Sequence, residues 1–281
     1  MLKKIHILPI SALLFMMLFV LSQCDVSTNQ TQSSDTGTAV VSITDAPLDI
    51  ENINEVNVRM SDVQIRSAES GESIVLQDEP VSLNIMAFRN GSRQIIAGDN
   101  AVANGLYDQL SLQILDITIE LNNGDDIDVN VPQAVQDGYT IDFTPNIEVV
   151  GNGVTDILLD FDLYQSITQQ SDGDTFFPSF SFSPVIRYAI LGNTGDISGN
   201  IRTENSIVIG NSLVKLFRGS QLLATSFSEP SGNFAIIGIE EGPYTLVASK
   251  EGLEADTLDI EVESRGVTET ELILDSLSTT N

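Results

Sequence analysis

Apolar residues recur at every second position through much of this chain. In Glu55-Val56-Asn57-Val58-Arg59-Met60, in Gln113-Ile114-Leu115-Asp116-Ile117-Thr118-Ile119-Glu120-Leu121 and in Asp126-Ile127-Asp128-Val129-Asn130-Val131, hydrophobic side chains alternate with polar ones. A strand sends successive side chains to opposite faces, so this period builds sheets with one dry and one wet face. Turn formers separate the runs: Glu69-Ser70-Gly71, Asn90-Gly91, Asn122-Asn123-Gly124-Asp125, Asn152-Gly153 and Asp172-Gly173. Half-buried strands at this spacing predict an all-β fold made of sandwiches. No long run keeps the helical period of 3.6, and one short helical turn is expected near Ser82–Phe88.

The first residues follow another logic. Lys3 and Lys4 precede an apolar run from Leu8 to Val20, too short for the roughly 20 residues that span a bilayer as a helix. A basic head and a short apolar core read as a secretory signal. The run ends at Leu21-Ser22-Gln23-Cys24, which resembles the lipobox of bacterial lipoproteins. That resemblance implies cleavage after residue 23 and acylation of Cys24, with palmitate among the chains. An uncleaved anchor with a chance cysteine is the alternative. Residues 24–36 are polar and low in complexity, as a flexible tether would be. Several acyl chains on one residue hold a protein at a membrane without a spanning helix. The expected location is therefore the envelope of a Gram-negative bacterium, at the outer membrane or cell surface.

Charge and absences narrow the function. The chain carries 40 acidic residues against 12 basic ones, a formal charge of −28, and Lys3 and Lys4 would leave with the signal. Such a field repels nucleic acid and anionic headgroups. The single histidine, His6, and the single cysteine, Cys24, both lie at the N-terminus. Histidine- or cysteine-dependent nucleophiles and the usual zinc, copper or iron ligand sets are thus not expected. Neither a phosphate-binding P-loop nor a dinucleotide fingerprint occurs. No cofactor is expected, and calcium is the one cation considered.

Two stretches carry resemblances. Thr44-Asp45-Ala46-Pro47, Leu83-Asn84-Ile85-Met86-Ala87-Phe88-Arg89-Asn90-Gly91, Asn104-Gly105-Leu106-Tyr107, Leu159-Asp160-Phe161-Asp162 and Pro184-Val185-Ile186-Arg187 together resemble domain of unknown function 4382. That resemblance implies order and architecture and brings no activity. Further on, Asp196-Ile197-Ser198-Gly199, Ser231-Gly232-Asn233-Phe234, Gly242-Pro243-Tyr244-Thr245-Leu246 and Lys250-Glu251-Gly252 resemble the carboxypeptidase-regulatory-like family. This second resemblance implies a seven-stranded, transthyretin-like sandwich of the carbohydrate-binding-like type, used as an accessory module. The expected layout is a signal over 1–23, lipidated Cys24 and tether over 24–36, one sandwich over 37–192 and a second over 193–281.

Few residues invite chemistry. Asp160 and Asp162, two apart on a strand, share a face opposite Leu159, Phe161 and Leu163. They form a candidate surface site, whose spacing also suits a carboxylate-dependent hydrolase; an ion pair with Arg187 or Arg89 is the plainer reading. Asp125, Asp126, Asp128 and Asn130 offer oxygen ligands for calcium, although Val131 stands where a calcium loop needs glycine. A hairpin tip explains Asn122 to Asp125 more simply. Asp45-Ala46-Pro47 and Arg89-Asn90-Gly91 read as turns, the latter with its arginine pairing inward. The phenylalanines of Phe176-Phe177-Pro178-Ser179-Phe180-Ser181-Phe182 read as core packing. No catalytic residue is assigned. The expected function is a lipid-anchored binding or scaffolding protein that recognises an extracellular glycan, or else an assembly partner of another envelope protein.

Overall fold

The structure is a computed structural model, and it describes residues 35–46, 53–98, 100–170 and 179–276. Cys24 and the lipobox, Pro47, Phe176 and Phe177 lie outside the described residues. The protein is all-β, as the alternation predicts. Residues Ser34–Asn281 form one compact unit that contains two hydrophobic cores.

The first core is enclosed by β1 (Thr36–Ala46), β2 (Ile53–Ser67), β3 (Ser73–Gln77), β4 (Val81–Asn84), β5 (Gln94–Ala97), β6 (Ala101–Ala103), β7 (Gly105–Leu121), β8 (Asp126–Asn130), β9 (Tyr139–Val149), β10 (Val154–Asp162), β11 (Ile167–Gln170), β12 (Ser179–Phe182) and β13 (Ile186–Ile190). One sheet runs β13-β10-β1-β5, with β6 also on β1. The other runs β11-β12-β8-β7-β2-β3, with β4 on β2 and β9 on β7. Val41, Ile43, Val58, Ile65, Leu112 and Ile117, nearly inaccessible to solvent, sit in the core between them. Phe161 and Phe182 stack at 5.7 Å, so the aromatic run does enter the core. The expected turn near residue 85 is a 3-10 turn at Ile85–Phe88. Two short helices, α1 (Gln133–Asp137) and α2 (Leu163–Ser166), complete this part.

The second core is built from β14 (Gly195–Arg202), β15 (Leu213–Arg218), β16 (Gln221–Phe227), β17 (Asn233–Ile239), β18 (Gly242–Ser249), β19 (Asp256–Val262) and β20 (Val267–Ile273). These seven strands form sheets β17-β14-β20 and β16-β15-β18-β19. Tyr244, Leu246 and Ala248 of β18 are buried, and the residues between them are half-buried. Gly232, at φ 81, makes the turn into β17, where a side chain would be strained. Among the described residues no helix is long and apolar enough to cross a membrane.

Candidate functional site

Strand β10 departs from simple alternation: every residue from Ile157 to Asp162 is buried. Its inward face, with Ile157, Leu159 and Phe161, packs into the first core. Its outward face, with Leu158, Asp160 and Asp162, meets β16 and β17 of the second. Gly238 shows how close this approach is. A Cβ at this position would lie 2.9 Å from Leu158 Cδ2 and 3.0 Å from Ala189 Cβ, and its φ is +68. Only glycine meets both demands without strain.

The expectation of an exposed Asp160–Asp162 pair is therefore corrected: Asp160 is 6% exposed and Asp162 4%. Alternation placed them on the face opposite Leu159 and Phe161 correctly. What covers that face depends on residues more than 60 positions downstream, which a two-residue period does not encode. Asp160 stands directly across from Arg187 on β13, and Arg187 Nη2 reaches its carboxylate at 2.7 Å. The same guanidinium donates to the Ile237 carbonyl at 3.0 Å and to the Gly238 carbonyl. One arginine thereby ties β10 to β17. Arg89, offered as the alternative inward partner, is exposed beside the turn made by Asn90 (φ 54) and Gly91 (φ 79).

Asp162 performs a second linkage. It caps α2 by accepting from Gln165 N at 2.9 Å, and it accepts from Gln165 Nε2 at 2.8 Å. From β16, Thr225 Oγ1 donates to it at 3.1 Å. Burial pushes the Asp162 carboxyl above its ordinary range; the Gln165 donors oppose that, neighbouring Asp160 adds to it, and Thr225 opposes it again. A raised carboxyl is one mark of a general acid. Here, however, its oxygens face three protein donors and hardly any solvent, which is the setting of a structural junction.

The calcium candidates are not gathered. Asn122 to Asp125 form the expected hairpin tip, with Gly124 at φ 86 and Asn123 bonded to Asp125. Asp126, Asp128 and Asn130 follow along β8, exposed to solvent. Among the described residues no group of three or more His, Cys, Asp or Glu side chains is placed to hold a metal ion.

What alternation did not reveal is a cleft between the two cores. It encloses about 370 Å3 and is lined by Asp142, Arg187 and Tyr188 from one side and by Arg218, Leu223 and Tyr244 from the other. Tyr188 and Glu240 also line an adjoining hollow of about 710 Å3. Tyr188 packs edge-on against Phe143, and its hydroxyl accepts from Thr144 N at 2.7 Å. Arg218 pairs with Glu240 at 2.9 Å and lies 5.4 Å from the Tyr244 ring centroid, a cation–π distance. The Glu240 hydrogen bond holds the Arg218 guanidinium more firmly protonated than usual, helped by Tyr244. The one available sequence signal was Arg187, a cation on an alternating strand in a chain poor in bases.

Residues 36–178 match the profile of a family described as Domain of unknown function (DUF4382), about half of the chain. The chain belongs to this family. A comparison with curated proteins finds no match. Among solved structures, this DUF4382 protein is similar to the Bacillus anthracis TIE protein at 10% identity, over 86% of this chain and 34% of that one, with a TM-score of 0.27. The shaft pilin SpaA of Lactobacillus rhamnosus GG matches at 9% identity over 88% of this chain and 100% of its own, TM-score 0.27. GBS52, a minor pilin of Streptococcus agalactiae, matches at 11% over 86% and 98%, TM-score 0.28. At these scores the likenesses say nothing about function or location.

Proposed function

We propose that this DUF4382 protein is a lipid-anchored binding or scaffolding module of a Gram-negative cell envelope, tethered through Cys24, with a carboxypeptidase-regulatory-like sandwich from residue 193 onward. The observation that carries the binding role is the cleft, whose two walls come from different cores. An apolar floor with a few convergent polar groups is the usual form of a ligand site. Leu223 and Ile186 supply apolar lining here, and Arg218, Glu240 and Asp142 supply polar groups. This composition suits an extracellular glycan, with Tyr188 as the partly exposed ring. The carboxylates that suggested hydrolysis are engaged in the junction, which favours binding over catalysis.

Two experiments test this reading. A glycan array probed with Ser34–Asn281, with calcium and with a chelator, is expected to give a defined ligand whose binding Arg218→Ala and Tyr188→Ala abolish. A clean negative in both conditions would sink the glycan reading and leave the assembly role. For the anchor, radiolabelled palmitate is expected to enter the full-length protein and to be lost in Cys24→Ala; equal labelling of both would contradict it.

A further inference from the structure

At one edge of the first core the sandwich has an open seam. Strand β5 is the edge of one sheet and β3 the edge of the other, and among the described residues neither has a second strand partner. Between them lies a groove of about 590 Å3. Its apolar lining is both exposed, with Val75 at 44% and Ile95 at 56%, and buried, with Leu76, Ile96 and Ala97 beneath. Proteins normally protect such an edge with lysine, proline or a covering element. Among the described lining residues none is basic or proline, and Asp78 is the one charge.

The two edges differ. Asn100 Nδ2 donates to the carbonyls of Val75 at 3.3 Å and Leu76 at 3.0 Å, which closes part of the β3 edge. On the β5 edge the side-chain bond is internal to the strand, Gln94 Nε2 donating to the Ile95 carbonyl at 3.1 Å, and among the described residues no other element caps it. We propose that β5 accepts an added strand from a partner protein, an extended segment in which apolar and basic side chains alternate. Apolar residues of that strand would cover Val75 and Ile95, while basic ones face Asp78. Main-chain bonds to an exposed edge and pockets for alternate side chains are the general basis of strand addition. Charge selects the occupant: a second copy would bring another −28 to the same seam, whereas a basic segment is attracted. This inference is independent of the cleft and of the anchor.

The test is titration of Ser34–Asn281, which contains both cores, with an acetylated hexapeptide alternating lysine and valine. Saturable binding is expected, with slowed amide exchange at residues 94–97. Ile95→Asp, at an exposed position, should weaken binding at least about tenfold, the equivalent of 1.4 kcal/mol. Asp78→Lys should weaken it about three- to fivefold, an effect of the size expected for one exposed charge pair. A glutamate–valine peptide should not bind. Absence of saturation, binding without protection of β5, or an affinity indifferent to Ile95→Asp would overturn the proposal. So would a dimer of the protein alone that Ile95→Asp dissociates, since the seam would then serve a second copy.

Discussion

The two cores of this protein meet solvent differently. In the second core, β18 alternates as a sheet with one buried face should, Tyr244, Leu246 and Ala248 inward and Thr245, Val247 and Ser249 half-buried. In the first core, β10 is buried on both faces from Ile157 to Asp162, because the second core packs on its outer side. The lesson is that the outer face of β10 is an interior surface whose polar residues have been matched to a specific neighbour. Asp160, Asp162 and Arg187 are what a catalytic cluster would look like in sequence, and in the folded protein they hold two cores together.

Removing the central cation should have the largest effect on that difference. Arg187→Ala strands the buried Asp160 carboxylate and the carbonyls of Ile237 and Gly238, and breaking such a pair costs about 3–5 kcal/mol. Urea unfolding should show that loss. Next, Gly238→Ala places a Cβ against Ala189 and Leu158 at positive φ, for about 2 kcal/mol. Both variants should leave the hydrogen exchange of β18, inside the second core, less affected than that of β10.

Smaller effects separate the roles of the two aspartates. Because burial raises the Asp162 carboxyl, its contribution to stability is fully present below the unfolded value of about 4 and is lost as pH rises through the folded value. Asp162→Asn should remove that dependence and stay within about 1 kcal/mol of the parent at pH 7, whereas Asp162→Ala orphans the Gln165 and Thr225 donors and should cost about 1–3 kcal/mol. Stability measured from pH 4 to pH 8 checks both signs. Smallest of all, Arg59→Ala breaks a pair with Asp116 in which both side chains are about half exposed, and should change stability by about 0.5 kcal/mol or less.

Much of this fold was legible because its signals are local. Period-two alternation in Val56–Met60, Ile114–Leu121 and the Phe180–Phe182 segment, and the Asn-Gly turns, each depend on neighbours a few residues away. Parity was legible too: Asp160 and Asp162 do lie opposite Phe161. The cover over them was not, since Thr225, Ile237 and Gly238 reach them from distant sequence. The cleft stayed hidden for the same reason, as Tyr188 and Arg218 become neighbours only when the two cores dock. The calcium reading of Asp125 to Asn130 rested on oxygen-bearing residues at the spacing that opens a calcium loop, and an exposed strand spreads those side chains instead of converging them.

The central claim is that Asp160, Asp162 and Arg187 form a junction coupling the two cores. Its most direct test is hydrogen exchange followed through urea unfolding of Ser34–Asn281, read separately in β10 and β18. Coincident transitions in the parent that separate in Arg187→Ala are the predicted result. Two separate transitions in the parent, unmoved by Arg187→Ala, would contradict it.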